Sequence, residues 1–162
     1  MKLRDGSEAD LPAIVAIYNE AIPTRRATAQ LEPVTVAERL PWYREHSPEH
    51  HPIWVLEMDG AIAGWLSFSR FITRCAYDGT AEISVYVAEN FQRRGVGREL
   101  LATAVAHAPG LGFSALLGLI FGHNEASLRL FANFGFERWG NLPRVARLDG
   151  VERDVVIVGR HL

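Results

Sequence analysis

Apolar residues at positions 11, 14, 15, 18 and 22 recur at helical spacing, so residues 7–22 are predicted to form a helix with Ser7 or Asp10 as its cap. Residues 35–46 repeat that pattern more weakly and predict a second helix. "KLRD", ahead of both, predicts a short strand. "PIWVLEM" and "AIAGWLSFSR" are apolar runs joined by Asp59-Gly60, a pair suited to a two-residue hairpin turn. After Asp78-Gly79, "TAEISVYV" alternates, with Ile83, Val85 and Val87 on one face and Glu82, Ser84 and Tyr86 on the other. The helical period returns over 96–108, where Val96, Leu100, Leu101, Ala104 and Val105 share a face. "FSALLGLIF" reads as a buried strand, and "NEASLRLFANF" as a helix stopped by Gly135. "FERWGNLPRVARL" and "VERDVVIVG" are strands meeting at Asp149-Gly150.

The predicted order is therefore β-α-α-β-β-β-α-β-α-β-β. Hairpins in the middle and at the end imply antiparallel pairs, and the strand-helix-strand unit over 80–120 implies one parallel crossover. The fold class is α+β (mixed αβ): a mixed, mostly antiparallel sheet with helices on both faces, forming one domain over residues 1–162.

Composition narrows the function classes. A chain that is 48% hydrophobic and 22% charged can bury a sizeable core. Its formal charge is -2, Lys2 is its one lysine, and its arginines are scattered, so a nucleic-acid partner is not expected. One cysteine, Cys75, permits no internal disulfide and fits a reducing compartment. No apolar run approaches the ~20 residues of a membrane span, and "MKLRDGSEADL" has no apolar signal core. A cytoplasmic location with no membrane partner is the expectation.

The chemistry concentrates in "NFQRRGVGREL", where a strand pattern gives way to a helix. A helix start leaves backbone N–H groups unpaired and carries about half a positive charge. Glycines let a bulky anion approach that backbone, and Arg93, Arg94 and Arg98 add charge around it. Pyrophosphate binding uses all of these features. The alternative is a loop whose glycines only turn the chain and whose arginines are solvated. A P-loop is excluded, because no Gly-Lys-Ser/Thr follows, and a dinucleotide fingerprint is excluded by Leu100 where its third glycine belongs.

Gln92-Arg93-Arg94-Gly95-Val96-Gly97 resembles the Gln/Arg-x-x-Gly-x-Gly/Ala motif of the GNAT N-acetyltransferase superfamily. The element order matches that family over nearly the whole chain. "YNEAI", "LEPVT", "RCAYDGTAEISVYV" and "GHNEAS" resemble its phosphinothricin acetyltransferase-like branch. The resemblance implies transfer of acetyl from acetyl-CoA to a primary amine of a small, amino-acid-like molecule, in a ternary complex, by a homodimer. It implies that Gln92, Arg93, Arg94, Gly95, Val96, Gly97 and Arg98 cradle the pyrophosphate, and that the backbone of Val85, Tyr86 and Val87 pairs with the pantetheine arm. Asn124 and Ser127, three apart at a helix start, would form the second cofactor wall; simple N-capping by Asn124 is compatible with that role.

Glu82 can be read as a solvated glutamate on an open sheet face or as a base that deprotonates the attacking ammonium. The resemblance makes it the base. It also assigns Arg74 and Tyr77 to the acceptor, Arg74 holding a carboxylate bidentately; a surface arginine and a packed tyrosine are the other reading. Three positions depart from the branch. Phe131 stands where the branch has a histidine and much of the family a tyrosine that protonates the leaving thiolate. Ile72 replaces a lysine, and Ala29 an aromatic, so two of the branch's acceptor positions are lost and phosphinothricin itself stays open as a substrate. Acetylation of a protein N-terminus or lysine, and a CoA-binding sensor without chemistry, stay open as alternatives. His46, His50 and His51 lie beside Glu45 and Glu49, but Pro48 and Pro52 interrupt the run and the spacing fits no zinc pattern, so no metal is expected.

Overall fold

The computed structural model describes residues 1–162. Its elements follow the predicted order: β1 (Lys2–Asp5), α1 (Leu11–Ala21), α2 (Val36–Arg44), β2 (Ile53–Met58), β3 (Ala61–Arg70), β4 (Thr80–Val87), α3 (Val96–His107), β5 (Ala115–Phe121), α4 (Glu125–Asn133), β6 (Glu137–Leu148) and β7 (Val151–His161). The helix predicted over 7–22 divides into three pieces. A 3-10 turn at Glu8–Asp10 leads into α1, and a second at Ile22–Thr24, containing Pro23, ends it. Ser7 and Asp10 both serve at the start. The Ser7 N–H and hydroxyl donate to Asp10 at 2.7 and 2.8 Å, and Arg4 donates to both carboxylate oxygens at 2.7 and 2.9 Å. That pairing holds the Asp10 carboxyl well below the usual carboxylate range.

The seven strands form one sheet in the order β1-β2-β3-β4-β5-β7-β6. All pairs are antiparallel except β4–β5. The two hairpin turns form where Asp-Gly pairs were read. Asp59 and Gly60 have φ of 54° and 78°, Asp149 and Gly150 of 51° and 80°, the left-handed pair a tight hairpin requires. Strand β7 inserts between β5 and β6, leaving β6 as an edge. That position tolerates Pro143 and the register shift between Leu142 and Ala146.

Each face of the sheet has its own core. On one side α1 buries Leu11, Ile14, Val15 and Tyr18 against Ile53, Val55 and Trp65, and Leu40 and Trp42 of α2 pack beside them. On the other side Val96, Leu100, Leu101 and Ala104 of α3 and Phe131 of α4 meet Leu66, Phe68, Ile83 and Leu116. Alternation along β4 is as predicted: Ile83 joins the α3 side with Val85 and Val87 against it, while Tyr86 packs on the α1 side. Gly64 in β3 sets how closely α3 approaches. A Cβ there would lie 2.8 Å from both the Tyr86 carbonyl oxygen and Val96 Cγ1, so only glycine lets the first turn of α3 settle on β3. No helix is long and apolar enough to cross a membrane.

Candidate active site

Strands β4 and β5 pair only briefly. Thr80, Ala81 and Glu82 face Ala115, Leu116 and Leu117, and the ladder then ends, although β4 continues to Val87 and β5 to Phe121. The two strands part beyond Glu82 and leave a wedge in the sheet. β4 stays paired to β3 along its other edge, with Gly64 opposite Val87. The Ala88 N–H donates to the Ala63 carbonyl at 2.9 Å, which makes 63/88 a hydrogen-bonded pair. By alternation the backbone groups of Tyr86 and Ser84 then point to β3, while those of Val85 and Val87 point into the wedge. Val85 and Val87 thus offer unpaired backbone there. Tyr86 instead contributes its side chain, whose hydroxyl donates to the Ala27 carbonyl at 3.1 Å. Burial pushes that phenol well above its ordinary range, so it stays protonated.

Two cavities meet at the wedge. The larger, about 840 Å³, runs to the start of α3 and is walled by Val85, Tyr86, Val87, Asn124 and Ser127 as well as by Gln92, Arg93, Gly95, Val96, Gly97 and Arg98. Gly95 caps the helix with φ of 86°, and no side chain caps it. The first intrahelical amide to find a partner is that of Glu99, which donates to Gly95 O at 2.9 Å, so the amides of Val96, Gly97 and Arg98 stay free. Gly97 lies under Leu130 and Val87, 3.3 and 3.5 Å from where a Cβ would stand, and keeps the floor shallow. Arg94 is the one member of the motif that does not line the cleft. Its guanidinium turns back to Asp59 of the β2–β3 turn at 2.7 Å and lies 5.2 Å over the Phe91 ring. It props the loop from behind.

The smaller cavity, about 280 Å³, lies between β4, β5, α4 and residues 26–29. Glu82, Ser84 and Tyr86 line it, as do Phe131 and Leu119. Glu82 is half-buried without an ion pair or hydrogen bond, and burial raises its carboxyl above the ordinary range. An isolated carboxylate with such a bias is a stronger proton acceptor than an ordinary one. Phe131 is buried, packed over Gly118 and edge-on to Phe136. It offers the site an apolar wall and no proton.

Asn124 both caps α4 and fixes the wall. Its Oδ1 accepts from the Ser127 N–H at 3.3 Å, and its Nδ2 donates to Ser127 Oγ at 3.1 Å and to the Arg26 carbonyl at 3.0 Å. That last bond ties the segment after α1 across the cleft. His123 Nε2 bonds the Arg25 carbonyl at 2.6 Å, and Tyr18 and Thr28 share a hydroxyl contact at 2.6 Å. Residues 25–29 form a strap over the junction of the cavities. Sequence reasoning missed this strap, because its partners lie 10 to 98 residues away.

Arg74 and Tyr77 are not brought to Glu82. Both are exposed in the segment joining β3 to β4, Tyr77 packs edge-on to Phe71, and neither lines either cavity. The short 3-10 turn at Cys75–Tyr77 carries them outward.

Comparison with known proteins gives the chain clear relatives. Residues 14–136 match the model of the acetyltransferase (GNAT) family. The chain is 45% identical over its full length to "Putative phosphinothricin acetyltransferase YwnH" of Bacillus subtilis, 99% of which is covered. It is 32% identical to the L-methionine sulfoximine/L-methionine sulfone acetyltransferase of Pseudomonas paraeruginosa, covering 99% of this chain and 94% of that protein. Its structure superposes with a TM-score of 0.92 on a phosphinothricin acetyltransferase from Sinorhizobium meliloti in complex with acetyl-CoA, at 30% identity, covering 99% of this chain and 88% of that one.

Proposed function

The chain belongs to the GNAT acetyltransferase family and is an acyltransferase, and from that premise we propose that it moves acetyl from acetyl-CoA to the primary amine of a small, amino-acid-like molecule by direct attack in a ternary complex. The observation that carries this reading is the meeting of two cavities at the β4–β5 wedge, one ending on free helix amides and the other on an unpaired glutamate. Acetyl-CoA supplies an acyl group activated as a thioester. The amides of Val96, Gly97 and Arg98, with Arg93 and Arg98, suit its pyrophosphate. Gln92 and Gly95 complete that cradle, and Asn124 and Ser127 form the facing wall. The unpaired backbone of Val85 and Val87 suits the pantetheine arm, and an N–H on that edge would polarise the thioester carbonyl.

Glu82 is the base in this account. An ammonium has no lone pair, and a partnerless carboxylate whose pKa lies above the usual range can take its proton directly or through a water. Phe131 supplies no acid. A free thiol has a pKa of about 8.5, so its thiolate is a tolerable leaving group without one. The acceptor cavity, at about 280 Å³, favours a small molecule over a peptide. The relatives' names point the same way, since they act on phosphinothricin or methionine sulfoximine and sulfone.

The active form in this reading is a homodimer in the cytoplasm. Helices α1 and α2 cover β2 and β3 but leave the same face of β5, β7 and β6 bare, where Leu119, Trp139, Leu142 and Val151 are exposed. A second copy would cover this apolar face. Sedimentation at the mass of one chain would contradict the dimer. The catalytic reading is tested by acetyl-CoA-dependent thiol release with L-methionine sulfone, phosphinothricin and a short peptide as acceptors. Release is expected with the amino acids; release with the peptide alone, or with none, would contradict it.

A further inference from the structure

Among the residues lining the acceptor cavity, Glu82 and Arg26 are the two that carry charge. Arg26 also lines the cofactor cleft, so it stands at the junction where an acceptor and a thioester would meet. Its backbone is fixed on both sides. The carbonyl accepts from Asn124 Nδ2 at 3.0 Å, the N–H donates to Thr24 Oγ1 at 3.3 Å, and the next carbonyl, of Ala27, accepts from Tyr86. Its guanidinium has no such anchor and makes neither an ion pair nor a hydrogen bond. The neighbouring Arg25 shows the contrast. Its guanidinium is fully engaged by Asp149 at 2.8 Å and by the carbonyls of Ile22 and Leu31 at 3.1 and 2.9 Å. The strap therefore uses one arginine to hold itself down and leaves the other, exposed and unpaired, at the rim of the cavity.

Two other arginines compete for an acceptor's negative charge, and the geometry disfavours both. Arg74 lines neither cavity. Arg39, also unpaired, lies 4.7 Å over the Tyr18 ring and 4.0 Å over the Trp42 ring, behind the cavity wall and outside its lining.

We propose that Arg26 is the specificity-determining residue that binds the carboxylate of the acceptor. The inference rests on the amino-acid reading above and deepens it. A cavity with one carboxylate and one free guanidinium is complementary to a zwitterion: the ammonium turns to Glu82, and the carboxylate meets the fork of Arg26 through two parallel N–H···O bonds. The tied backbone of the strap fixes where that fork starts, so the carboxylate also orients the amine for attack. Arg93 and Arg98 serve the opposite end of the cofactor cleft, beside the free amides of α3, which leaves Arg26 to the acceptor.

The test compares L-methionine sulfone with the amine it yields on decarboxylation, 3-(methylsulfonyl)propylamine, using the full chain and its Arg26→Ala variant, each shown folded by circular dichroism. The variant is expected to lose roughly 10- to 100-fold in kcat/KM for the amino acid and less than about threefold for the decarboxylated amine, with the KM for acetyl-CoA unchanged. Arg26→Lys should recover only part of the loss, because an ammonium lacks the planar fork. Equal losses for both amines would overturn the inference, as would a raised KM for acetyl-CoA with the acceptor preference intact. If the unaltered enzyme acetylates both amines equally well, the carboxylate site is wrong while the acetyltransferase reading stands. If it acetylates neither, the amino-acid reading itself fails and this inference falls with it.

Discussion

Gly64→Ala couples the fold to the site. The added Cβ would stand 2.8 Å from the Tyr86 carbonyl oxygen and from Val96 Cγ1, and 3.3 Å from Leu100 Cδ1. Reaching an ordinary 3.4 Å contact requires a separation of about 0.6 Å on two sides at once. One neighbour is sheet backbone held in the β3–β4 ladder, so α3 must move. Overpacking of this kind costs about 1–3 kcal/mol, which for a chain of this size lowers Tm by roughly 2–4 °C per kcal/mol, or about 2–12 °C. The displaced element is the first turn of α3, whose free amides are assigned to the pyrophosphate. Acetyl-CoA affinity should therefore fall about tenfold as well, because helix-terminus contacts weaken when the turn shifts. Calorimetric melting and titration with acetyl-CoA read both effects. Gly110→Ala is the control: nothing lies within 4 Å of its added Cβ, its φ is not in the left-handed region, and it should leave both quantities nearly unchanged. A Gly64→Ala protein with the parent's Tm and affinity would refute the claim that this glycine seats the helix.

Two further outcomes are expected. Gly95→Asp places a side chain at φ of 86° and a negative charge beside the free amides of α3, so titration should show acetyl-CoA binding strongly weakened in a protein that still folds; unchanged affinity would mean that the loop only turns the chain. Glu82→Gln should raise Tm at neutral pH. Burial raises the folded-state pKa of Glu82, so the native protein loses stability as pH rises from the ordinary carboxylate range through that value, and the uncharged glutamine escapes this loss. The advantage should vanish in acid, and melting curves that show the same difference at every pH would count against a partnerless buried carboxylate.

Much of the fold was legible because its signals are local. The Asp59-Gly60 and Asp149-Gly150 pairs fixed two hairpins, and Leu11, Ile14, Val15 and Tyr18 marked the buried stripe of α1. The insertion of β7 between β5 and β6 was not legible, since strand order depends on pairing between distant segments. Nor was the wedge: β4 and β5 keep their apolar patterns past Glu82 and Leu117, and nothing in either strand marks where the ladder stops. The free amides at the start of α3 were readable from Gly95 and Gly97, although Arg94 turns away to Asp59, which the hairpin places beside it. The acceptor side was least readable. Arg74 was favoured by its position before β4, but the segment bearing it stays outside the cavities. Arg26 lines both, on a strap whose carbonyl is held by Asn124, 98 residues on.

The account turns on Glu82 as the group that deprotonates the acceptor. The most direct measurement is the pH profile of kcat/KM for L-methionine sulfone, by thiol release, in the parent protein and in Glu82→Gln. The parent should gain activity with rising pH through a group that titrates above the ordinary carboxylate range, as burial dictates for Glu82. Glu82→Gln should abolish that limb and lower the plateau roughly 100-fold or more, with acetyl-CoA affinity little changed. Near-normal turnover of Glu82→Gln across the same pH range would contradict it.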